Sequence, residues 1–116
     1  MVVQIRHDIY LIGSGYPVST SKVESPMKSV SLTMTTLSEL GHDIVDFSVA
    51  NCKEKRIYLT GGLDRTASIT LDTAHFYSIV RDRWYEVRQM NESRKLHSSC
   101  CLGPFLYVFA GHKGKD

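Results

Sequence analysis

Apolar positions in this chain come in short bursts separated by polar turns rather than in the three-to-four spacing of an amphipathic helix. DIVDFSVA (43 to 50) and RIYLT (56 to 60) flank Asn51-Cys52-Lys53-Glu54-Lys55, a polar link of hairpin length. ASITLDTAHFYSIV (67 to 80) follows, rich in Thr, Ile, Phe and Tyr, then the polar turn Arg81-Asp82-Arg83, then WYEV (84 to 87). These segments predict four strands running up and down. LTMTTLSEL (32 to 40) passes for a short helix in isolation, but no segment of ten or more residues joins a helical period to capping residues, so the expected class is all-β.

An internal repeat organises these strands. IYLIGS (9 to 14), IYLTGG (57 to 62) and LYVFAG (106 to 111) share an aliphatic residue, a tyrosine, an aliphatic residue, a fourth position and two small residues. Ile9 to Ile57 is 48 positions and Ile57 to Leu106 is 49. A strand-rich unit of that period indicates propeller blades more than a solenoid. FLYVFAG (105 to 111) is apolar up to its glycine, which predicts cover on both faces. One four-stranded unit cannot bury both its faces alone, so it needs neighbours.

Gly61-Gly62 at a strand end admits two interpretations. A phosphate-cradling loop leads from a strand into a helix and carries Gly-Lys-Ser/Thr or a spaced third glycine, whereas here Leu63-Asp64-Arg65-Thr66 follows and no helix is expected. Glycines serving positive φ or close backbone approach are therefore the better interpretation.

With Gly61 and Gly62 closing a strand, Tyr77 and Trp84 seven positions apart, then Met90, Arg94 and His97 before FLYVFAG, the sequence resembles the kelch repeat. The resemblance is close over 43–93, a full repeat, and continues over 94–116 as the start of a further, truncated one. It is looser over 1–42, where Gly13-Ser14 stands for the diglycine and Ser29 and Thr36 fall opposite Tyr77 and Trp84, a degenerate or gapped unit. It implies four-stranded antiparallel blades in an incomplete β-propeller segment of about two and a third repeats, where closed propellers use about four to eight. Gly61, Gly62, Tyr77, Trp84, Met90, Arg94 and His97 then form the structural motif. Its expected function is a non-enzymatic protein-interaction module, such as a substrate-recognition or cytoskeletal adaptor segment with protein partners. Two alternatives stand beside it. One is a fragment of a larger propeller without independent function, suggested by the ending AGHKGKD. The other is part of an enzyme on this scaffold, since the family includes a copper oxidase and sugar-modifying members.

Composition narrows the partners. The 116 residues suit one domain, and 42% hydrophobic with 22% charged residues and net charge +2 describes an ordered chain without strong electrostatic bias. Arg81, Arg83, Arg88, Arg94 and Lys95 make the densest basic stretch, but Asp82, Glu86 and Glu92 interrupt it, so nucleic acid is not expected. No apolar window approaches the roughly 18 residues of a membrane span, and the N-terminus lacks the basic start of a signal peptide. Asn91-Glu92-Ser93 has the form of a glycosylation sequon but is expected to be a turn. Cys52, Cys100 and Cys101 cannot all pair internally, and adjacent cysteines rarely bridge, so free, buried thiols in a reducing, cytoplasmic setting are expected.

Candidate chemistry is sparse. His97, Cys100, Cys101 and His112 invite a metal site, but in a strand His97 and Cys101 face one side and Cys100 the other, without paired C-x-x-C spacing. Asp43, Asp46, Asp64, Asp72 and Asp82 are scattered over turns, where Asp bends backbone. Ser98-Ser99 beside His97 lacks a strained G-x-S-x-G elbow. No catalytic, cofactor-binding or metal residue is expected, and exposed outer faces of an open segment are expected to self-associate.

Overall fold

The computed structural model describes residues 2–5, 8–13, 19–24, 33–36, 40–41, 43–53 and 55–113. Ser14, Ser29, Glu54 and the tail 114–116 lie outside them, as do parts of the 32–40 segment. The described residues are all-β. The first sheet comprises β1 (Val2–Ile5), β2 (Asp8–Gly13), β3 (Ser19–Glu24) and β4 (Thr33–Thr36), antiparallel in chain order. β4 replaces the isolated-helix possibility for 32–40: Thr33, Thr35 and Thr36 favour an extended backbone, and pairing with β3 aligns Met34 with Val23.

The middle of the chain contributes β5 (Ile44–Val45), β6 (Ser48–Cys52), β7 (Arg56–Thr60), β8 (Leu63–Asp64), β9 (Ile69–Thr70), β10 (Ala74–Ser78) and β11 (Arg83–Val87). The last two are β12 (Ser98–Leu102) and β13 (Phe105–Phe109). The second sheet has the order β11-β10-β7-β6, an antiparallel meander, while β12 and β13 pair as a two-stranded third sheet. A small ribbon, β5-β8-β9, sits beside the second sheet.

Two expected strands are broken, each for a local reason. The 43–50 run divides at Asp46, whose φ of 58° reverses the backbone and aims its carbonyl at the Leu96 N–H, 2.9 Å away. The 67–80 run divides into β9 and β10. Between them Leu71 donates its N–H to Gly62 O at 2.8 Å and Asp72 O accepts from Met90 N at 2.7 Å, while upstream Asp64 Oδ1 accepts the N–H groups of Thr66 and Ala67 at 2.9 and 3.1 Å, an Asx-type turn that folds β9 back onto β8.

The core is centred on the second sheet. Ile57, Leu59 and Tyr77 are buried there with Phe47, Val49 and Ile44, and Ile12 of β2 and Leu40 join the same cluster. Leu71, Ile79 and Trp84 pack around it. β6 touches both β12 and β1, so the first strands of the three sheets meet. A radius of gyration of 14.5 Å against about 13 Å for a compact chain of this length suits sheets set side by side.

FLYVFAG departs from its expectation. Leu106 and Val108 are half-buried, but Phe105, Tyr107 and Phe109 on the other side of β13 are exposed, as is Leu102 on β12. Only one face of the third sheet is covered, because among the described residues a sheet packs on one side of it alone.

Candidate functional site

β7 delivers the diglycine into a three-way backbone junction. The Gly61 N–H donates to Thr73 O at 2.9 Å, and the Gly62 N–H donates to Arg94 O at 2.7 Å. Gly62 O accepts from Leu71 N at 2.8 Å, and Leu71 O from Arg94 N at 3.0 Å. Both glycines have positive φ, 59° and 102°. A Cβ on Gly61 would stand 2.3 Å from Arg94 O and 2.8 Å from His97 Cε1, and one on Gly62 would stand 2.6 Å from Val45 O. The N–H groups that a phosphate loop would present to a ligand are already occupied, and β8, not a helix, follows.

Met90, Arg94 and His97, expected on resemblance alone, gather on this junction. The Met90 methyl would be 3.1 Å from a Gly61 Cβ, and the Met90 N–H donates to Asp72 O at 2.7 Å. Arg94 supplies the carbonyl to Gly62, and its guanidinium Nη1 donates to Ala110 O at 3.0 Å, joining the linker to the end of β13. His97 Nε2 and Thr60 Oγ1 share a buried hydrogen bond of 2.9 Å, while Nδ1 is buried without a hydrogen-bond partner. Burial and, after it, the nearby Arg94 charge push the His97 pKa below its ordinary value, so the neutral imidazole is favoured.

Tyr77 and Trp84 form a second group. They are direct cross-strand partners between β10 and β11, with ring centroids 5.5 Å apart and planes tilted by 51°. The Tyr77 hydroxyl donates to Asp82 Oδ1 at 2.6 Å, so its polar tip is satisfied within the β10–β11 turn while the ring fills the core.

The junction recurs one period later. Ala110 (φ 65°) and Gly111 (φ 80°) stand 49 positions after Gly61 and Gly62, and a Cβ on Gly111 would lie 2.6 Å from Lys95 O and from His97 Cβ. Lys95 and His112 exchange backbone hydrogen bonds of 3.0 and 3.1 Å around it. Asp46 and Leu96, 50 positions apart, likewise share left-handed backbone, at 58° and 53°.

The thiols overturn the free-thiol expectation. Cys52 at the end of β6 and Cys101 on β12 form a disulfide with a Cα–Cα distance of 5.4 Å, leaving Cys100 free and exposed rather than buried. Their separation of 49 residues equals the repeat period, which is the signal that places both on first strands of successive units. The rule that adjacent cysteines avoid each other holds, but it left the longer pairing open. A Ser48 Oγ to Ser99 Oγ hydrogen bond of 2.7 Å, not a link to His97, forms the second tie between these strands.

Beside the disulfide lies a groove of about 440 Å³ lined by Cys52, Lys53, Lys55, Arg56, Tyr58, Cys101, Gly103, Pro104 and Leu106. It opens between the β6–β7 and β12–β13 turns and carries three cationic side chains and, among the described residues, no acidic one in its lining. Sequence reasoning missed it because its walls come from two units about 50 positions apart. A smaller cavity of about 190 Å³ lies between the ribbon and the second sheet, where Asp64, His75 and Glu86 meet Ile44 and Leu71.

No protein-family model matches the chain, and no curated protein matches it.

Proposed function

We propose that the chain is a segment of a kelch-type β-propeller that works as a non-enzymatic protein-interaction module. The observation that carries this reading is positional equivalence: each repeat copy falls on the second strand of its sheet, on β2, β7 and β13, and the last two end in the same left-handed pair. The convergence of Met90, Arg94 and His97 on the diglycine, and the Tyr77–Trp84 pair across β10 and β11, support the same reading. Loops on a rigid β scaffold are the usual carriers of binding. The cytoplasmic setting, expected from three free thiols, is not carried into the proposal, because Cys52 and Cys101 form a disulfide.

The partner surface follows from the same equivalence. Ser48 and Cys52 of β6 reach Ser99 and Cys101 of β12, so that face of the second sheet is covered by the third. One unit on, the equivalent face holds Ser98, Cys100 and Leu102 with Phe105, Tyr107 and Phe109, and it is open. A face of that composition suits another β unit, including one from a second copy of the chain.

Light scattering coupled to size separation tests this on the wild-type chain and on a Leu102→Ser, Phe105→Ser, Tyr107→Ser variant. A discrete oligomer that becomes monomeric in the variant supports the reading. A folded wild-type monomer, unchanged by the substitutions, overturns the self-association.

A further inference from the structure

The groove beside the disulfide combines three features that the propeller reading does not use. First, the bond crosses between sheets: Cys52 ends β6 and Cys101 lies within β12, so it staples the second sheet to the third. Second, both cysteines line an open groove of about 440 Å³, wide enough for a small peptide-sized molecule. Third, among the described residues the remaining polar side chains of the lining are cationic or phenolic. Lys53 and Lys55 stand at the rim and are exposed, and Arg56 sits with its guanidinium carbon 4.3 Å from the Phe76 ring centroid and donates to the Tyr58 hydroxyl at 3.2 Å. Arg56 is thereby held in place, while the two lysines are free to meet a ligand's anionic groups.

We propose that this groove is a docking site for an anionic low-molecular-weight thiol, which reduces the Cys52–Cys101 staple and so loosens the third sheet from the second. The thiol's carboxylates meet Lys53, Lys55 and Arg56, bringing its sulfur to the disulfide. Its thiolate attacks Sγ of Cys101, the less buried of the two cysteines. A mixed disulfide forms, the Cys52–Cys101 bond breaks, and the electron pair departs on Cys52 Sγ as a thiolate, which the neighbouring cations stabilise before it takes a proton from water. A second thiolate then attacks the small-molecule sulfur of the mixed disulfide and releases Cys101 as its thiolate. The protein disulfide is reduced to two thiols, and two small thiols are oxidised to their disulfide. The reverse sequence, driven by the oxidised small molecule, restores the staple.

Cys100 takes no part, because strand alternation places it on the opposite, exposed face of β12. It serves as an internal standard: alkylation followed by mass measurement reads one thiol in the stapled chain and three in the open one.

The test compares reduction of the full chain by glutathione, which is anionic, with reduction by 2-mercaptoethanol, which is neutral, at equal thiolate concentration and low salt. Glutathione is expected to be at least about tenfold faster, in line with the rate gains that a charged cleft confers. Salt should erase the difference. In the Lys53→Gln, Lys55→Gln variant, glutathione should slow by about tenfold and 2-mercaptoethanol by less than about twofold. After reduction, amide exchange should rise in β12 and β13 and stay low in β7 and β10. Equal rates for the two thiols, a glutathione preference that survives in the variant, or three reactive thiols before any reductant is added would each overturn the proposal.

Discussion

The second and third sheets are built from matching sequence and end in different environments. Ser48, Ala50 and Cys52 along β6 are 3%, 6% and 7% exposed, whereas Ser98, Cys100 and Leu102, 50 positions on in β12, are all exposed, Leu102 by 69%. On the paired strands, Leu59 is fully buried and Val108, its equivalent, is half-buried. The strands, the register and the left-handed turn residues are the same kind of object in both places. What differs is the neighbour. β7 lies between β6 and β10, and β6 touches β12 of the third sheet, while β13 pairs only with β12 among the described residues. The repeat thus encodes strand geometry, and burial is conferred afterwards by whatever packs on it.

The sharpest way to break this comparison is to attack the backbone junction of the second sheet. Gly62→Val adds left-handed strain and a Cβ 2.6 Å from the Val45 carbonyl, and the sum of strain and overpacking is expected to cost about 4 kcal/mol. Gly103→Ala, with φ of 60° but open space around it, should cost only about 1 kcal/mol. Urea unfolding followed by Trp84 fluorescence separates the two, and equal losses would mean that crowding at Gly62 is not what requires the glycine.

Removing the staple by a Cys52→Ser, Cys101→Ser double substitution should cost about 3 to 4 kcal/mol from the loop closed by a 49-residue separation. The loss should fall mainly on the third sheet, visible as faster amide exchange in β12 and β13 than in β10. A uniform change across both sheets would show that they unfold as one unit. Next in size, Leu59→Ala should cost about 3 kcal/mol and Val108→Ala about 1, by the same denaturation experiment. Similar values would mean that the third sheet is packed as well as the second.

The smallest expected effect is that of His97. Its folded pKa lies below the ordinary histidine value near 6.5, so the unfolded chain takes up the proton first as pH falls. The stability it contributes is therefore present above about pH 6.5 and is lost as pH drops through the folded pKa. Thermal unfolding between pH 7.5 and 5 should show this acid-side decline in the wild type and a flatter profile in His97→Gln. Identical profiles would remove His97 as the group responsible.

Much of the second sheet was legible in the sequence. Short apolar bursts between polar turns placed β7 and β11 near their observed bounds, and the diglycine's lack of a following helix argued correctly against a phosphate loop. The breaks at Asp46 and at 71–73 were not legible, since only hydrogen bonds to residues distant in the chain, from the Leu96 N–H to Asp46 O and from the Met90 N–H to Asp72 O, show where each strand is interrupted. The free-thiol expectation failed for a related reason: pairing depends on which strands lie side by side, and the spacing of 49 gains that meaning only once β6 and β12 are seen together.

By itself, then, the sequence determined the all-β class, the period near 49 residues and the diglycine turn, because strand propensity, turn chemistry and repeat spacing are local or periodic properties of the chain. Only the tertiary structure decided which face of FLYVFAG is covered, that Cys52 meets Cys101, that Met90, Arg94 and His97 converge on Gly61, and that Lys53, Lys55 and Arg56 share a groove with Cys101 and Leu106. Each of these is a contact between residues far apart along the chain. Such contacts are set by how sheets pack against one another, which side-chain alternation permits but does not choose.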